Sequence, residues 1–478
     1  MKVDDVRPEV QGRWALMLLC IVAVALTIFS IKTDHLREAD EVLHYLYARE
    51  VGSVPMNLLH VWARPLCTLL WWPLAAFSID AVRWTSALSL IVIGWTVWKC
   101  ARELGLRAPS TAVLLVLMQT MVIALLGGVW TEWPFAAMLG VWLWLRLTHR
   151  HVAAGWITGL LPLMRPEGFI VGFVDGCCAL LGCWRSREGK ISRFASLLGI
   201  PVGTLVWAVV AALSSGDPWW LVHHWPHDWA PGSSYGQGAV SWILTVVRDL
   251  LPWSLIPLLM AGVLRPRSRT IAPIVAVTLA VFAVHTALWA TGSFGSAGYA
   301  RYFLTLCPLL AILMAQGWER IGDWLPKSGI RRHPVLALLV IWVLSAWTER
   351  NTWTRKAPPP DARVLTRVGE SLQRAFPKSE AHAAHPFFYL GWETTPGSRF
   401  EDMGDFSEAT ITGLPIGAIV LVEDRLYLPS TRNVRPERLT QLGFERLDLV
   451  ALGIDMSLGD TTGYPYLAGF TPSAYIRR

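Results

Sequence analysis

The sequence predicts an all-α, polytopic membrane protein of about ten to twelve spans, followed by a small soluble α/β domain. Two observations support this class. Hydrophobic residues make up 53% of the 478 residues and charged residues only 16%, whereas a soluble domain carries roughly 25% charged residues. In addition, Lys and Arg concentrate in alternate short loops between apolar segments, which is typical of membrane topology.

The first apolar segment, residues 14–31, follows a basic start that contains Lys2, Arg7 and Arg13. It is long enough to cross about 30 Å of hydrocarbon. A secretory signal would have a shorter apolar core and a small-residue cleavage site. We therefore interpret this segment as a retained first span.

Further apolar segments follow near residues 65–78, 80–98, 109–129, 133–148, 152–183, 196–213, 240–263, 271–291, 302–316 and 334–348. The 65–78 segment is shorter than the roughly 20 residues of a straight span, which predicts a re-entrant or interfacial helix. The 152–183 segment is interrupted by Arg165, Pro166 and Glu167. Because proline removes a backbone donor and charged side chains avoid lipid, we predict a broken hairpin there.

The charges of the loops predict the orientation. Loops assigned to the cytoplasm hold 19 Lys and Arg residues, and the opposite loops hold 5. Short loops rich in Lys and Arg stay inside, so the N-terminus is predicted to be cytoplasmic. Loop 32–64 and the residues after 350 then lie outside. Short loops, and no glycosylation sequon in the outer domain, favour a bacterial inner membrane.

The net charge of +7 is explained by these loops, so no nucleic-acid partner is expected. The seven Cys residues lie in or beside apolar stretches before residue 350. Their spacing is not typical of a metal site, and we interpret them as small lipid-facing or core residues.

A membrane domain of residues 1–349 and a soluble domain of residues 350–478 are predicted. The APPPD sequence at 357–361 marks a linker, since its three prolines prevent a helix from continuing. Short buried strands are predicted at 386–390 (PFFYL), at 418–424 (AIVLVED) and in FERLDLV after Gly443, and residues 436–442 are predicted to be helical.

The most informative segment is READEVLHYLYAREVG, residues 37–52. At 100° per residue it forms a helix with Asp40, Glu41, His44 and Ala48 on one face and Val42, Leu43, Leu46 and Tyr47 on the other. Paired acids beside a first span suit general-base catalysis on a hydroxyl at the lipid boundary. The alternative is a solvated loop helix whose acids stabilise its first turn.

The sequence DEVLHYLYARE (40–50) resembles the first-loop signature of GT-C glycosyltransferases, polytopic enzymes that take a sugar from a polyprenyl-phosphate carrier. Four further elements agree: ARPLCTLLWWPL (63–74), Thr131-Glu132, RPEGF (165–169) and SAGYARYFLTLCPLLAIL (296–313). The resemblance covers about the first 320 residues and, more loosely, the outer domain. It leans towards mannosyltransferases and is compatible with the protein O-mannosyltransferase and aminoarabinose-transferase branch. Glu38-Ala39 stands where the eukaryotic mannosyltransferases have His-Pro.

This resemblance implies an inverting transfer, in which an acceptor hydroxyl attacks the anomeric carbon and the lipid phosphate leaves from the opposite face. Asp40 would be the catalytic base. Glu41 would orient the acceptor or tune Asp40. Arg301 and Tyr302 would hold the donor phosphate, since a guanidinium binds phosphate through two hydrogen bonds. The implied substrate-binding positions are His44, Tyr45, Arg64, Glu132, Arg165, Glu167, Arg301 and Tyr302.

Structural explanations stay open for the charged residues. Glu132 suits the N-terminal end of a helix, and Arg301 suits a side chain that reaches lipid headgroups. Arg165 and Glu167 suit a mutually neutralising pair. HHWPHDW (223–229) suits a metal, but the GT-C enzymes that this chain resembles mostly work without one. No metal and no other cofactor is therefore expected.

The predicted function is transfer of a single sugar, preferably mannose-like, from a polyprenyl-phosphate donor to a lipid, glycan or protein hydroxyl on the non-cytoplasmic face. The expected partners are the lipid-linked donor, the acceptor and membrane lipid. A transporter or flippase of lipid-linked sugars is an alternative, but it would have repeated halves with paired broken helices, and the sequence has no repeat. A non-catalytic membrane subunit is the other alternative, and it would tolerate neutral residues at positions 40 and 41.

Overall fold

The computed structural model describes residues 8–478 with gaps at 34–37, 186–189, 225–236, 265–268, 294–297, 325–336, 339, 345–359, 384–385, 393–407, 424–433, 435, 455 and 458–471. Up to residue 324 the described chain is helical. The α-helices are α1 Pro8–Lys32, α2 Ala39–Glu50, α3 Pro65–Ala75, α4 Ile79–Glu103, α5 Pro109–Leu117, α6 Thr120–Leu125, α7 Glu132–Leu147, α8 His151–Leu160, α9 Glu167–Arg185, α10 Lys190–Gly199, α11 Val202–Ser215, α12 Trp220–His223, α13 Trp242–Leu250, α14 Ile256–Leu264, α15 Ala272–Thr291 and α16 Cys307–Trp324. Short 3₁₀ helices lie at Pro55–Leu58, Leu161–Leu163, Trp253–Leu255, Arg269–Ile271 and Ala300–Leu306.

Several helices are long and apolar enough to cross a membrane. In the described residues five meet this condition by length and composition: Gly12–Lys32, Ile79–Glu103, Ile191–Ser215, Ala272–Thr291 and Ala300–Trp324. The predicted helical membrane class is therefore confirmed. Shorter apolar helices lie at Pro65–Ala75, where an interfacial or re-entrant helix is predicted, and at His151–Leu163. The total of ten to twelve spans stays a prediction.

Three predicted segments are broken. The 152–183 segment divides between α8 and α9 at Arg165 and Pro166, so the predicted break is confirmed. The 109–129 segment forms the two short helices α5 and α6 rather than one span. The 240–263 segment bends by 96° between Trp242–Leu250 and Trp253–Leu264. Leu251 is extended there because a residue that precedes proline avoids the α conformation.

Contacts divide the chain into two compact units. The first comprises residues 1–32, 59–70 and 80–355. The second comprises residues 33–58, 71–79 and 356–478. The second unit therefore contains α2 as well as the C-terminal residues, and the predicted division at residue 350 stays a prediction.

The C-terminal part of the second unit is an α/β structure. Its helices are α17 Pro360–Ala375, α18 Phe388–Gly391, α19 Glu408–Gly413 and α20 Pro436–Gln441, and its strands are β1 Ala381–Ala383, β2 Ile419–Glu423, β3 Phe444–Arg446 and β4 Pro472–Arg477. The strand order is β1-β2-β4-β3. β1 pairs with β2 in parallel, and β4 pairs with both β2 and β3 in antiparallel orientation. A core that includes Val420, Leu439, Phe444 and Tyr475 packs against the sheet.

The sequence located β2, β3 and α20 correctly. The strand predicted at PFFYL is wrong, because Phe388–Gly391 forms the short helix α18. Gly391 lies so close to α17 that a Cβ there would overlap the carbonyl oxygen of Thr366. The Tyr389 hydroxyl accepts a hydrogen bond from Ala383 N at 2.7 Å, which fixes α18 to β1. The sequence interpretation missed β1 and β4.

Candidate functional site

A buried ion pair lies at the break between α8 and α9. Arg165 Nε donates to both carboxylate oxygens of Glu167 at 3.1 Å, and Nη2 donates to Oε1 at 2.8 Å. Both side chains are buried. Pro166 has no backbone N–H to continue the hydrogen bonds of the preceding helix, and Glu167 begins α9. The predicted mutual pairing of these residues is therefore observed, but it is only part of a larger network.

Glu132 joins this network from the start of α7. Its Oε1 atom lies 2.9 Å from Arg165 Nη1. The same Nη1 donates to Thr131 Oγ1 at 2.7 Å. Glu132 is the first residue of α7, where the helix dipole also favours a carboxylate. Both the helix dipole and the ion pair with Arg165 therefore stabilise the Glu132 carboxylate, although the loop around Glu132 contains no basic residue of its own.

Arg301 approaches Glu132 from the 3₁₀ helix Ala300–Leu306. Its Nε atom lies 3.9 Å from Glu132 Oε1. The guanidinium carbon lies 4.4 Å from the ring centroid of Trp130 and 4.8 Å from that of Tyr299, distances at which cation–π attraction is appreciable. Arg301 is only 7% exposed, so most of its side chain packs inside the protein.

Tyr302 and His285 lie beside the pair that Arg165 forms with Glu167. The guanidinium carbon of Arg165 lies 5.7 Å from the Tyr302 ring centroid. The His285 ring stacks on Tyr302, with centroids 5.2 Å apart and planes 22° apart. His285 Nε2 lies 3.3 Å from Glu167 Oε1. The sequence interpretation missed His285, although it is the one titratable residue in the apolar helix α15.

Arg64 belongs to the same neighbourhood. It lies close enough to Arg165, Glu167 and Glu132 to interact electrostatically with all three. Its backbone φ is 62°, which is uncommon outside glycine. Its Nη1 donates to Val61 O at 3.0 Å, which holds the turn before α3.

We call Arg64, Arg165, Arg301, Glu132 and Glu167 the arginine cluster. The cluster contains three guanidinium groups and two carboxylates, which leaves one net positive charge when the carboxylates are ionised and neighbouring His285 is neutral. All its members are buried except Arg64, which is partly exposed. Charges are poorly screened in such surroundings. The arrangement therefore suits an anion with planar or tetrahedral oxygens, and a phosphate is the clearest example.

The acidic pair of α2 lies in the second unit. Asp40 is exposed, whereas Glu41 is fully buried. Both belong to the first turn of α2, where negative charge is stabilised by the helix dipole. The two acids, which the sequence puts on one face, thus have different access to solvent. Of the two side chains, only that of Asp40 is exposed to solvent.

The remaining residues predicted on α2 pack within the second unit. The rings of His44 and Trp71 lie 5.8 Å apart. Tyr45 is buried, and the guanidinium carbon of Arg49 lies 5.5 Å from its ring centroid. Arg49 Nη1 donates to the Tyr389 carbonyl oxygen at 3.4 Å. α2 is therefore tied to α18, which is itself fixed to the sheet.

The described residues contain no group of three or more His, Cys, Asp or Glu side chains arranged to hold a metal. The predicted HHWPHDW pattern extends to His227 and Asp228, which lie outside the described residues. Within the described part, the Nδ1 atom of His223 lies 2.8 Å from Asp217 Oδ2. This contact and a hydrogen bond from Trp219 N lower the pKa of the Asp217 carboxyl. The expectation of a metal-independent site stays a prediction.

Comparisons with known proteins bear on the fold. No protein-family model and no curated protein sequence matches the chain. Among solved structures, ArnT from Cupriavidus metallidurans bound to undecaprenyl phosphate is 14% identical, with a TM-score of 0.62 over 96% of this chain and 97% of that chain. The apo state of that protein gives a TM-score of 0.61 at 15% identity, over 85% of this chain and 92% of that chain.

A second protein has a similar structure. The Archaeoglobus fulgidus oligosaccharyltransferase, tethered with an acceptor peptide that contains the NVT sequon, is 13% identical, with a TM-score of 0.54 over 86% of this chain and 69% of that chain. The likeness to ArnT extends over nearly the full length of both chains, including the C-terminal α/β part. This chain therefore shares the fold of these two proteins, in agreement with the GT-C-like fold that its first-loop sequence predicts.

Proposed function

We propose that this protein is a glycosyltransferase that moves a single sugar from a polyprenyl-phosphate donor to a hydroxyl group. The observation that carries the proposal is the arginine cluster, in a chain with the GT-C fold. Its net positive charge and its guanidinium forks suit the phosphate of a lipid-linked sugar. The similarity to a structure that contains undecaprenyl phosphate supports the same class of ligand.

The charge change of the reaction fits this cluster. A sugar joined to polyprenyl phosphate through a phosphodiester carries one negative charge, and the released phosphate monoester carries about two near neutral pH. Negative charge therefore grows on the phosphate as the bond to the anomeric carbon breaks. Guanidinium groups that are already in place stabilise this growing charge without reorganisation, which lowers the barrier.

The proton of the acceptor hydroxyl requires a base, and the proposal assigns this role to Asp40. The hydroxyl oxygen forms a bond to the anomeric carbon, its proton goes to Asp40, and the lipid phosphate departs with the bonding electrons from the opposite face. The configuration at the anomeric carbon is inverted. The solvent exposure of Asp40 supports the assignment, and Glu41 has a supporting role next to it.

Glu132 and Glu167 have a different role in the proposal. Each carboxylate is within 3 Å of Arg165, so protonation of either would forfeit an ion pair. They hold the arginines in position rather than transfer protons. No resident metal is included, because the guanidinium groups already supply positive charge for the phosphate. Chelation with EDTA is expected to leave the rate unchanged.

The finer assignments come from the first-loop resemblance and the loop charges. They are a mannose-like sugar, a lipid, glycan or protein acceptor, and a reaction on the non-cytoplasmic side of a bacterial inner membrane. The archaeal oligosaccharyltransferase structure contains an acceptor peptide, which supports a polymer among the candidate acceptors.

The experiment incubates the purified protein, in lipid nanodiscs, with a panel of radiolabelled polyprenyl-phosphate sugars. We expect release of polyprenyl phosphate with at least one donor when an acceptor extract is added. Arg301→Ala is expected to raise the donor KM about 10- to 100-fold, because it removes a charged hydrogen-bonding group. Arg301→Lys keeps the charge and should lie between the two proteins.

Arg438→Ala provides a matched control. Arg438 is exposed in the C-terminal part and pairs with Glu408, so its loss should leave the donor KM unchanged. Binding of the lipid donor without any release of phosphate would instead favour a transporter of lipid-linked sugars. Absence of both binding and release would favour a non-catalytic membrane subunit.

A further inference from the structure

His285 occupies an unusual position for an ionisable side chain. The 20 residues of α15 are otherwise free of titratable groups, and the helix is long and apolar enough to cross a membrane. Its side chain is 11% exposed. Ionisable residues within spans are costly and face functional groups more often than lipid. His285 accordingly faces the arginine cluster.

Two aromatic rings fix the orientation of His285. Tyr302 stacks on its face, and Phe303 contacts it edge-on, each with centroids 5.2 Å apart. With the ring held in this way, Nε2 lies 3.3 Å from Glu167 Oε1, within ion-pair distance but outside hydrogen-bonding geometry. The imidazole therefore holds a fixed position next to the ion pair of Arg165 and Glu167.

A line of contacts runs from this fixed point to Arg301. Glu167 Oε1 is shared by His285 and by Arg165 Nη2. With Nε and Nη2 of Arg165 committed to Glu167, its Nη1 atom is left to reach Glu132. Glu132 Oε1 in turn lies 3.9 Å from Arg301 Nε. A rotation of the Glu167 carboxylate would thus be transmitted along the whole line.

We infer that His285 is a positioning residue for the arginine cluster: the close approach of its Nε2 atom to Glu167 orients this carboxylate, and through it Arg165 and Glu132, for phosphate binding. The inference rests on the proposed function, because that function makes the phosphate the ligand. His285 does not itself contact the reacting atoms. Its loss should therefore weaken phosphate binding more than it slows the chemical step.

Two substitutions separate the two features of the imidazole. His285→Gln retains an N–H donor near the position of Nε2 and removes the ring. His285→Phe retains a ring to stack on Tyr302 and removes the donor. Residues along a coupled network change ligand affinity by roughly 3- to 30-fold. We expect a change of this size in His285→Phe, while His285→Gln stays close to the unsubstituted protein.

The primary measurement is equilibrium binding of radiolabelled undecaprenyl phosphate to the full-length protein in detergent. The donor KM and kcat are measured in parallel with the donor that the panel identifies. His223→Ala is the matched control, because His223 is exposed and pairs with Asp217 outside the cluster. Thermal unfolding of each variant identifies any general loss of structure.

Weaker binding and a higher donor KM in His285→Phe alone, with kcat within about twofold, would support the inference. Equal affinity of His285→Phe and the unsubstituted protein would overturn it, since ring packing would then suffice. A fall in kcat in both variants with unchanged affinity would overturn it as well. If the unsubstituted protein binds undecaprenyl phosphate without transferring sugar, only the proposed function fails. The affinities of the two His285 variants for this lipid then still test the inference. If it does not bind this lipid, both fail.

Discussion

Two pairs of acidic residues, one in each unit, have different surroundings. In the first unit, Glu132 and Glu167 are buried and both contact Arg165 within 3 Å. In the second unit, Asp40 is exposed at the first turn of α2, and the adjacent Glu41 is buried. Both pairs contain carboxylates of similar intrinsic acidity. Their environments, and not their chemistry, determine what each can do.

The difference shows how the surroundings of a carboxylate determine its role within one fold. A carboxylate bound to a guanidinium holds that cation in place, and protonation would leave the cation uncompensated in a buried site. A carboxylate exposed to solvent, such as that of Asp40, exchanges protons with water more readily than a buried one. The acids of the arginine cluster are therefore expected to organise cations, and Asp40 is expected to move a proton.

The largest expected effect tests this separation of tasks. Asp40→Asn should lower kcat about 100- to 10,000-fold, the usual contribution of a general base. The donor KM should change little, because Asp40 is not expected to contact the phosphate. The measurement is the rate of lipid-phosphate release by the purified variant at saturating donor.

Asp217→Asn is the matched control for that experiment. Asp217 lies outside α2 and pairs with His223, so its loss should leave kcat unchanged. Retained transfer in Asp40→Asn would remove the proton-transfer role from this residue. The proposed division, in which Asp40 moves a proton and the acids of the arginine cluster hold cations, would then be wrong for Asp40.

Removal of Arg165 should have the second largest effect, here on stability. Arg165→Ala leaves Glu132 and Glu167 buried without their shared cation, which typically costs about 3–5 kcal/mol. The free energy of unfolding in detergent is the quantity to measure. Replacement of the whole triad by neutral residues (Arg165→Met, Glu132→Gln and Glu167→Gln together) should recover most of the loss, while phosphate binding stays impaired.

A loss in Arg165→Ala that is no greater than in Arg438→Ala would contradict this account. Exposed pairs such as that of Arg438 and Glu408 contribute little to stability. Such a result would mean that the buried carboxylates find other partners or take up protons. The two acidic pairs would then differ less than their exposures indicate.

Local patterns in the sequence predicted one part of this arrangement and not the other. The interruption of an apolar segment by Arg165, Pro166 and Glu167 was enough to predict the break between α8 and α9, because proline and charge are local signals. The contact of Arg165 with Glu132 joins residues 33 positions apart, and no local pattern encodes it. His285 carried a signal, as a lone titratable residue in an apolar span, but its partners come from two other elements.

The soluble part shows the same limit. An apolar run such as PFFYL has the composition of a buried strand or of a buried helical turn, and periodicity does not separate the two. Packing decided the outcome, because α18 lies against α17 at Gly391. AIVLVED was predicted correctly since its β-branched residues favour a strand in either context. The short strand β1 has only three residues and gives almost no pattern.

The next prediction concerns the support of α2. Gly391→Ala would bring a Cβ onto the carbonyl oxygen of Thr366 in α17, and overpacking of this kind typically costs about 1–3 kcal/mol. Thermal unfolding should detect the loss. Gly413→Ala is the matched control, since a Cβ there meets no heavy atom of the described chain within 4 Å. Equal stability of the two variants would show that α18 moves away from α17 at little cost.

The smallest expected effect follows from the link between α2 and α18. Arg49 Nη1 donates to the Tyr389 carbonyl oxygen, and Arg49→Met keeps the apolar stem but removes this donor. A hydrogen bond from a charged group contributes about 1.5–3 kcal/mol at most, and this one is long. We therefore expect kcat to fall only a few-fold, with the donor KM unchanged. A change in the donor KM instead would mean that α2 contributes to phosphate binding, and the two acidic pairs could no longer be assigned separate tasks.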